Sequence, residues 1–84
     1  MSPVAIYTTP HCPYCLSAKR LLSSKGITPD EINVEASPLH LAEMMQRSQR
    51  RTVPQIFVGK VHVGGFDDLA RLDRKGQLET LLHA

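Results

Sequence analysis

Cys12 and Cys15 are the residues of this chain best suited to do chemistry, and they are its only cysteines. Two sulfurs three positions apart can supply a thiolate nucleophile, bind a metal or bond to each other. As a staple the pair would be poor. Small secreted domains held by disulfides normally carry four or more cysteines, and a bridge from position 12 to 15 closes almost no loop of the unfolded chain. Zinc needs four ligands, and the remaining candidates, His11, His40, His62 and His83, show no second paired spacing. His11, next to Cys12, is badly placed to share a metal with both sulfurs. Thiol–disulfide exchange is the favoured chemistry, with no metal and no bound cofactor expected.

Such chemistry requires one sulfur to be held as an accessible anion, and the flanking sequence provides for this. Val4–Thr8 is β-prone and bounded by Pro3 and Pro10, which reads as a strand. From Pro13 to about Lys25 apolar Leu16, Ala18, Leu21 and Leu22 interleave with polar residues, predicting a helix stopped by Gly26. Cys12 then falls at the N-cap and Pro13 at the first helical position, where its missing N–H is harmless. An N-cap side chain accepts from the amides two and three residues on, here Tyr14 and Cys15. With the positive end of the helix dipole, these donors favour thiolate over thiol. An ordinary cysteine titrates near ~8.5, and such placement lowers it into the range ~3.5–7.5. Lys19 and Arg20 would add to the field. Cys12 is thus expected to be the nucleophile, and Cys15, one turn on and less accessible, the resolving thiol.

The rest of the chain predicts the frame. Asp30–Glu35 alternates as a second strand, and Ser37 with Pro38 opens a helix to about Arg47. Val53–Val58 and Val61–Val63 flank Gly59-Lys60 as an antiparallel hairpin. Gly64-Gly65 ends it, Asp67 or Asp68 caps a further helix, and Gly76 separates a short last one. The order β-α-β-α-β-β-α implies a parallel pair with a right-handed crossover plus an antiparallel edge, hence an α/β mixed four-stranded sheet with helices on both faces. Eighty-four residues fit one domain, 1–84. A net charge of +2, with two Tyr and two Phe, argues against nucleic acid. No apolar run approaches the roughly 20 residues that span a bilayer, and no basic region followed by an apolar stretch opens the chain, so a cytoplasmic protein is expected.

Cys12-Pro13-Tyr14-Cys15, Thr52-Val53-Pro54-Gln55 and Gly64-Gly65-Phe66-Asp67-Asp68 together resemble the dithiol glutaredoxins, especially the short bacterial type, over essentially the whole chain. Thioredoxins differ, usually with Trp before and Gly-Pro between the cysteines, and this chain has no Trp. The resemblance implies a thioredoxin-like fold and a glutathione-dependent oxidoreductase, monomeric, acting on disulfide-containing or glutathionylated proteins with glutathione as co-substrate. Val53 matches the residue whose backbone pairs with the cysteine moiety of glutathione, as in strand addition, and Pro54 the family's cis proline. The pair Asp67 and Asp68 matches residues that hold the γ-glutamyl end, Asp67 taking its ammonium while amides near the helix start receive its carboxylate, and Gly65 and Phe66 also match glutathione-binding positions. Tyr14 and Thr52 match groove positions.

Each position also has a plainer role open to it. Asp67 and Asp68 could only cap a helix, Gly64-Gly65 could be a turn, and Pro54 could start a strand. Arg47, Arg50 and Arg51 read as a solvated basic face, Met44 and Met45 as helix packing, and His40, His62 and His83 receive no role. One departure stands out: many relatives carry a lysine where this chain has Thr9, so that charge is missing, leaving Arg51 and His11 as candidate substitutes. Alternative readings are a thioredoxin-like donor recharged by a flavin reductase and an iron–sulfur carrier using Cys12 with external glutathione.

Overall fold

A computed structural model describes residues 2–84. The elements are β1 (Val4–Thr8), α1 (Pro13–Ser24), β2 (Asp30–Asn33), α2 (Pro38–Ser48), β3 (Gln55–Val58), β4 (Val61–Gly64), α3 (Phe66–Arg74) and α4 (Gln77–Leu82). The strands form one sheet in the order β2-β1-β3-β4. β1 and β2 run parallel, with Ala5 opposite Asp30. β1 and β3 run antiparallel, with Ile6 opposite Ile56. β3 and β4 form the hairpin, with Val58 opposite Val61 and an irregularity between Ile56 and Phe57.

Alternation along the central strands assigns the two faces. Val4, Ile6, Ile56 and Val58 pack with Ala18 and Leu22 of α1, Leu69 of α3, and Leu78 and Leu82 of α4. Tyr7 and Phe57 point the other way and pack with Val34 and Met44 of α2. The helices therefore cover both faces, as the sequence predicts. Met44 is fully buried, in keeping with a packing role.

Helix and strand ends differ from the sequence reading where backbone groups find unforeseen partners. α1 closes at Ser24 with a Schellman arrangement: Gly26 N–H donates to the Ser23 carbonyl and Ile27 N–H to that of Leu22, each at 2.9 Å. Gly26, at φ +76°, supplies the left-handed residue this requires. β2 ends at Asn33 rather than Glu35, because the Asn33 carboxamide oxygen accepts from the N–H groups of Glu35 and Ala36 and turns the chain. β3 starts at Gln55, not Val53: Pro54 has no N–H for a ladder, and the Val53–Pro54 peptide bond is cis. Ser37 occupies the N-cap of α2 without a side-chain bond; its carbonyl accepts from His40 and Leu41. The N-cap of α3 is Gly65, not Asp67 or Asp68.

Candidate active site

β1 ends at Thr8, and a short turn delivers Cys12 to the N-cap of α1 in an extended backbone conformation, with Pro13 following. The Cys12 and Cys15 sulfurs are in bonding contact, their Cα atoms 5.2 Å apart. Cys15 N–H donates to Cys12 Sγ at 3.1 Å. This is one of the two backbone donors the sequence predicts; Tyr14 N–H makes no such bond. Cys12 is partly accessible, whereas Cys15 is buried at 2% exposure. No acidic residue lies in the first turn of α1, so no side-chain carboxylate there opposes an anionic sulfur.

The cis Val53–Pro54 bond brings the second motif beside the first, with Cys12 Sγ 3.8 Å from the Val53 carbonyl oxygen. From here a groove of about 290 Å³ runs between Tyr14, Arg50, Thr52, Val53 and Pro54 on one side and Gly65 through Asp68 on the other. All eight residues assigned to a binding groove from the sequence line it. Tyr14, 63% exposed, faces Phe66 with ring centroids 6.4 Å apart. A larger groove of about 550 Å³ lies along β4, α3 and α4 but contains neither sulfur.

Within the groove the acidic pair divides. Asp68 is occupied: Oδ2 accepts from Gly65 N–H at 3.0 Å and from Arg50 at 3.1 Å, and Oδ1 from Arg71 at 3.2 Å. The Gly65 amide is the main cause holding its carboxyl below the ordinary range, with Arg50 and Arg71 assisting. Glycine has no side chain to return the bond, so this is half of a capping box. Asp67, one residue earlier, is exposed. Gly64 makes this arrangement possible. It sits at φ +116°, and a Cβ there would collide with the Asp68 carboxylate.

On the other side of Cys12, a second groove of about 490 Å³ is lined by residues including Thr9, His11, Lys19 and Glu31. Lys19 pairs with Glu31 at 3.0 Å, and Thr8 Oγ1 donates to the same carboxylate at 2.8 Å. The Thr8 bond first, then Lys19, holds Glu31 below its ordinary pKa. The field expected from Lys19 at Cys12 is therefore largely cancelled.

Two arginines depart from the expected solvated face. Arg47 stacks its guanidinium 4.0 Å over the Phe57 ring and donates to the Tyr7 hydroxyl at 2.7 Å, while Arg50 joins the groove. Arg51 is exposed. The sequence reading also gave no role to His62, whose ring bonds to Gln55 at 2.8 Å. Burial first, then the Arg50 and Arg47 charges, push its imidazole below its ordinary pKa. The available signal was a polar pair on facing strands of an otherwise apolar hairpin. Among the described residues, no cluster of three His, Cys, Asp or Glu side chains could hold a metal ion, and no helix is long and apolar enough to cross a membrane.

A mixed sheet covered by helices on both faces, with Cys-Pro-Tyr-Cys at the start of its first helix, defines a thiol–disulfide oxidoreductase of the thioredoxin-like fold. Comparison with known proteins narrows the class. The glutaredoxin family model matches residues 4–63. A glutaredoxin of Neisseria meningitidis serogroup A is 56% identical over 84 residues, covering 99% of each chain. Glutaredoxin 3 of Escherichia coli K12 is 50% identical over 82 residues, covering 98% of this chain and 99% of its own. Among solved structures, a buckwheat glutaredoxin–glutathione complex superposes with a TM-score of 0.88 at 28% identity, covering 98% of this chain and 77% of the other. This chain belongs to the glutaredoxin family.

Proposed function

We propose that the protein reduces protein disulfides and glutathione mixed disulfides, with Cys12 as nucleophile, Cys15 as resolving thiol and glutathione as reductant. The observation that carries this reading is the 3.8 Å approach of Cys12 Sγ to the Val53 carbonyl. If the Val53 backbone pairs with the cysteinyl unit of glutathione as an added strand, the ligand sulfur lies beside Cys12. The buckwheat relative, solved as a glutathione complex, supports glutathione as the ligand. Asp67 then takes the γ-glutamyl ammonium, and the Phe66 amide opening α3 takes that end's carboxylate, the Gly65 N–H being held by Asp68. Tyr14, Thr52 and Pro54 line the path between. Asp68 acts from behind, fixing Gly65 and Arg50 instead of meeting the ligand.

With a glutathionylated protein, the Cys12 thiolate attacks the glutathione sulfur. A bond forms between Cys12 and glutathione, and the protein sulfur leaves as a thiolate that takes a proton from water. A second glutathione thiolate attacks the same glutathione sulfur, releasing glutathione disulfide and restoring the Cys12 thiolate. With a protein disulfide, Cys12 attacks one sulfur, and Cys15, deprotonated, attacks Cys12 and expels the substrate thiolate. Two glutathione molecules then reduce the Cys12–Cys15 disulfide. No bound cofactor takes part. A monomer in a reducing, cytoplasmic compartment suits this cycle, because glutathione there keeps thiols reduced.

Cys12→Ser is expected to abolish turnover with either substrate. Cys15→Ser should retain removal of glutathione from a glutathionylated peptide while losing most protein-disulfide reduction. Glutathione with its reductase should sustain the cycle, and thioredoxin reductase should not. Equal loss in both cysteine variants, or recharging only by thioredoxin reductase, contradicts the assignment.

A further inference from the structure

Gln55 opens β3 on the face that packs against α2, and its side chain is fully buried. Burying a primary amide is unfavourable unless its donors and acceptor are matched. All of them are. Gln55 Nε2 donates to the Thr52 carbonyl oxygen at 3.0 Å and to Thr52 Oγ1 at 3.2 Å, and Oε1 lies 2.8 Å from His62 Nε2. Both donors therefore go to one groove residue, Thr52, across the intervening Val53–Pro54.

The chemistry of the partners fixes the direction of every bond. A carbonyl oxygen only accepts, so the Thr52 carbonyl requires the nitrogen side of the Gln55 amide. Oε1 is thereby left facing His62, and since it too only accepts, His62 Nε2 must carry a proton. Thr52 Oγ1 is an acceptor from Gln55, so the hydroxyl keeps its own proton for another partner. Thr52 lines the groove. With His62 removed, Gln55 Oε1 would lose its donor and the buried amide would be held by Thr52 alone.

We propose that Gln55 and His62 are positioning residues: Gln55 holds Thr52 so that its hydroxyl donates to an oxygen of the bound ligand, and His62 anchors the Gln55 amide by donating to its oxygen. The proposal rests on the reading of the groove as a glutathione site. Neither residue touches the reacting sulfurs, so their effect should fall on KM for a glutathionylated substrate rather than on kcat.

The test measures kcat and KM for a glutathionylated peptide in wild type, Gln55→Met, Thr52→Val and the double variant. Each single change is expected to raise KM by ~3–10-fold, the worth of one or two neutral hydrogen bonds. The double variant should be no worse than Gln55→Met alone, since Thr52 has nothing to present once its holder is gone. Should Gln55→Met not fold, His62→Leu and His62→Gln answer the same question. Leucine should raise KM, whereas glutamine, whose side chain can also donate to Gln55, should restore it. Effects that multiply in the double variant, or His62→Gln no better than His62→Leu, overturn the proposal. A control separates its failure from that of the underlying reading. Wild type that processes a cysteinylated peptide as well as the glutathionylated one defeats the glutathione site itself, whereas preserved glutathione preference with multiplicative effects defeats only the roles of Gln55 and His62.

Discussion

Two helices begin at the groove, and they begin in opposite ways. α1 starts with a sulfur at its N-cap and Pro13, Tyr14 and Cys15 in its first turn, none of them acidic. α3 starts with a side-chain-free Gly65 and places Asp67 and Asp68 in its first turn. Both starts present backbone N–H groups and the positive end of a dipole. At α1 the Cys15 amide is directed at Cys12 Sγ, so the field acts on that sulfur. At α3 the Gly65 amide is directed at Asp68, which anchors the turn, while Asp67 beside it is exposed. The same electrostatic device thus faces a cysteine sulfur at one end of the groove and a structural carboxylate at the other.

The largest expected break comes from Gly64→Ala. A residue with Cβ is strained at φ +116° and would also displace the Asp68 carboxylate, so a loss of about 2–3 kcal/mol is expected in urea unfolding. Gly26→Ala provides the contrast. Its φ is also positive, but open space surrounds its missing Cβ, and a loss of about 1 kcal/mol should result. Equal losses would mean that the start of α3 does not depend on seating Asp68.

Tyr14→Asp makes the start of α1 resemble that of α3. A carboxylate in the first turn competes for the helix field, and the Cys12 pKa should rise by about half a unit. Alkylation by iodoacetamide reads this without engaging the groove. An unchanged value would show that the field at α1 does not tune Cys12.

Asp68→Asn should have the smallest effect at neutral pH, roughly 0.5 kcal/mol, because asparagine can still accept from Gly65 and the arginine partners are half-exposed. Its signature is in acid. The folded pKa of Asp68 lies below its ordinary 3.8, so the folded state binds its proton less readily than the unfolded chain does. That stabilisation is complete well above 3.8 and disappears as pH falls through 3.8 and then the lower folded value. Urea midpoints should fall less steeply below about pH 4 in Asp68→Asn than in wild type; parallel curves would remove Asp68 from the account.

The same contrast explains what could be read in advance. The α1 start is local: a cysteine, a proline after it and a second cysteine one turn on state their geometry in four residues. The α3 start was legible as a motif but misassigned in detail. Sequence rules seek an N-cap side chain, and here the cap is a glycine while the acid sits three residues inside. The cis state of Pro54 followed from family resemblance, since ordinary X-Pro bonds are mostly trans. Tertiary pairings were out of reach. Nothing local says that Lys19 meets Glu31 across β2, that Arg50 reaches Asp68, or that Arg47 lies on Phe57. Each joins residues at least ten positions apart through the sheet or its covering helices.

The central claim is that the start of α1 holds Cys12 as an anion. Alkylation of Cys12 by iodoacetamide across the pH range, in a Cys15→Ser variant that keeps the position 15 backbone N–H, tests it most directly. A thiolate midpoint within ~3.5–7.5 is the expected result, and a midpoint near ~8.5, that of an ordinary cysteine, would contradict it.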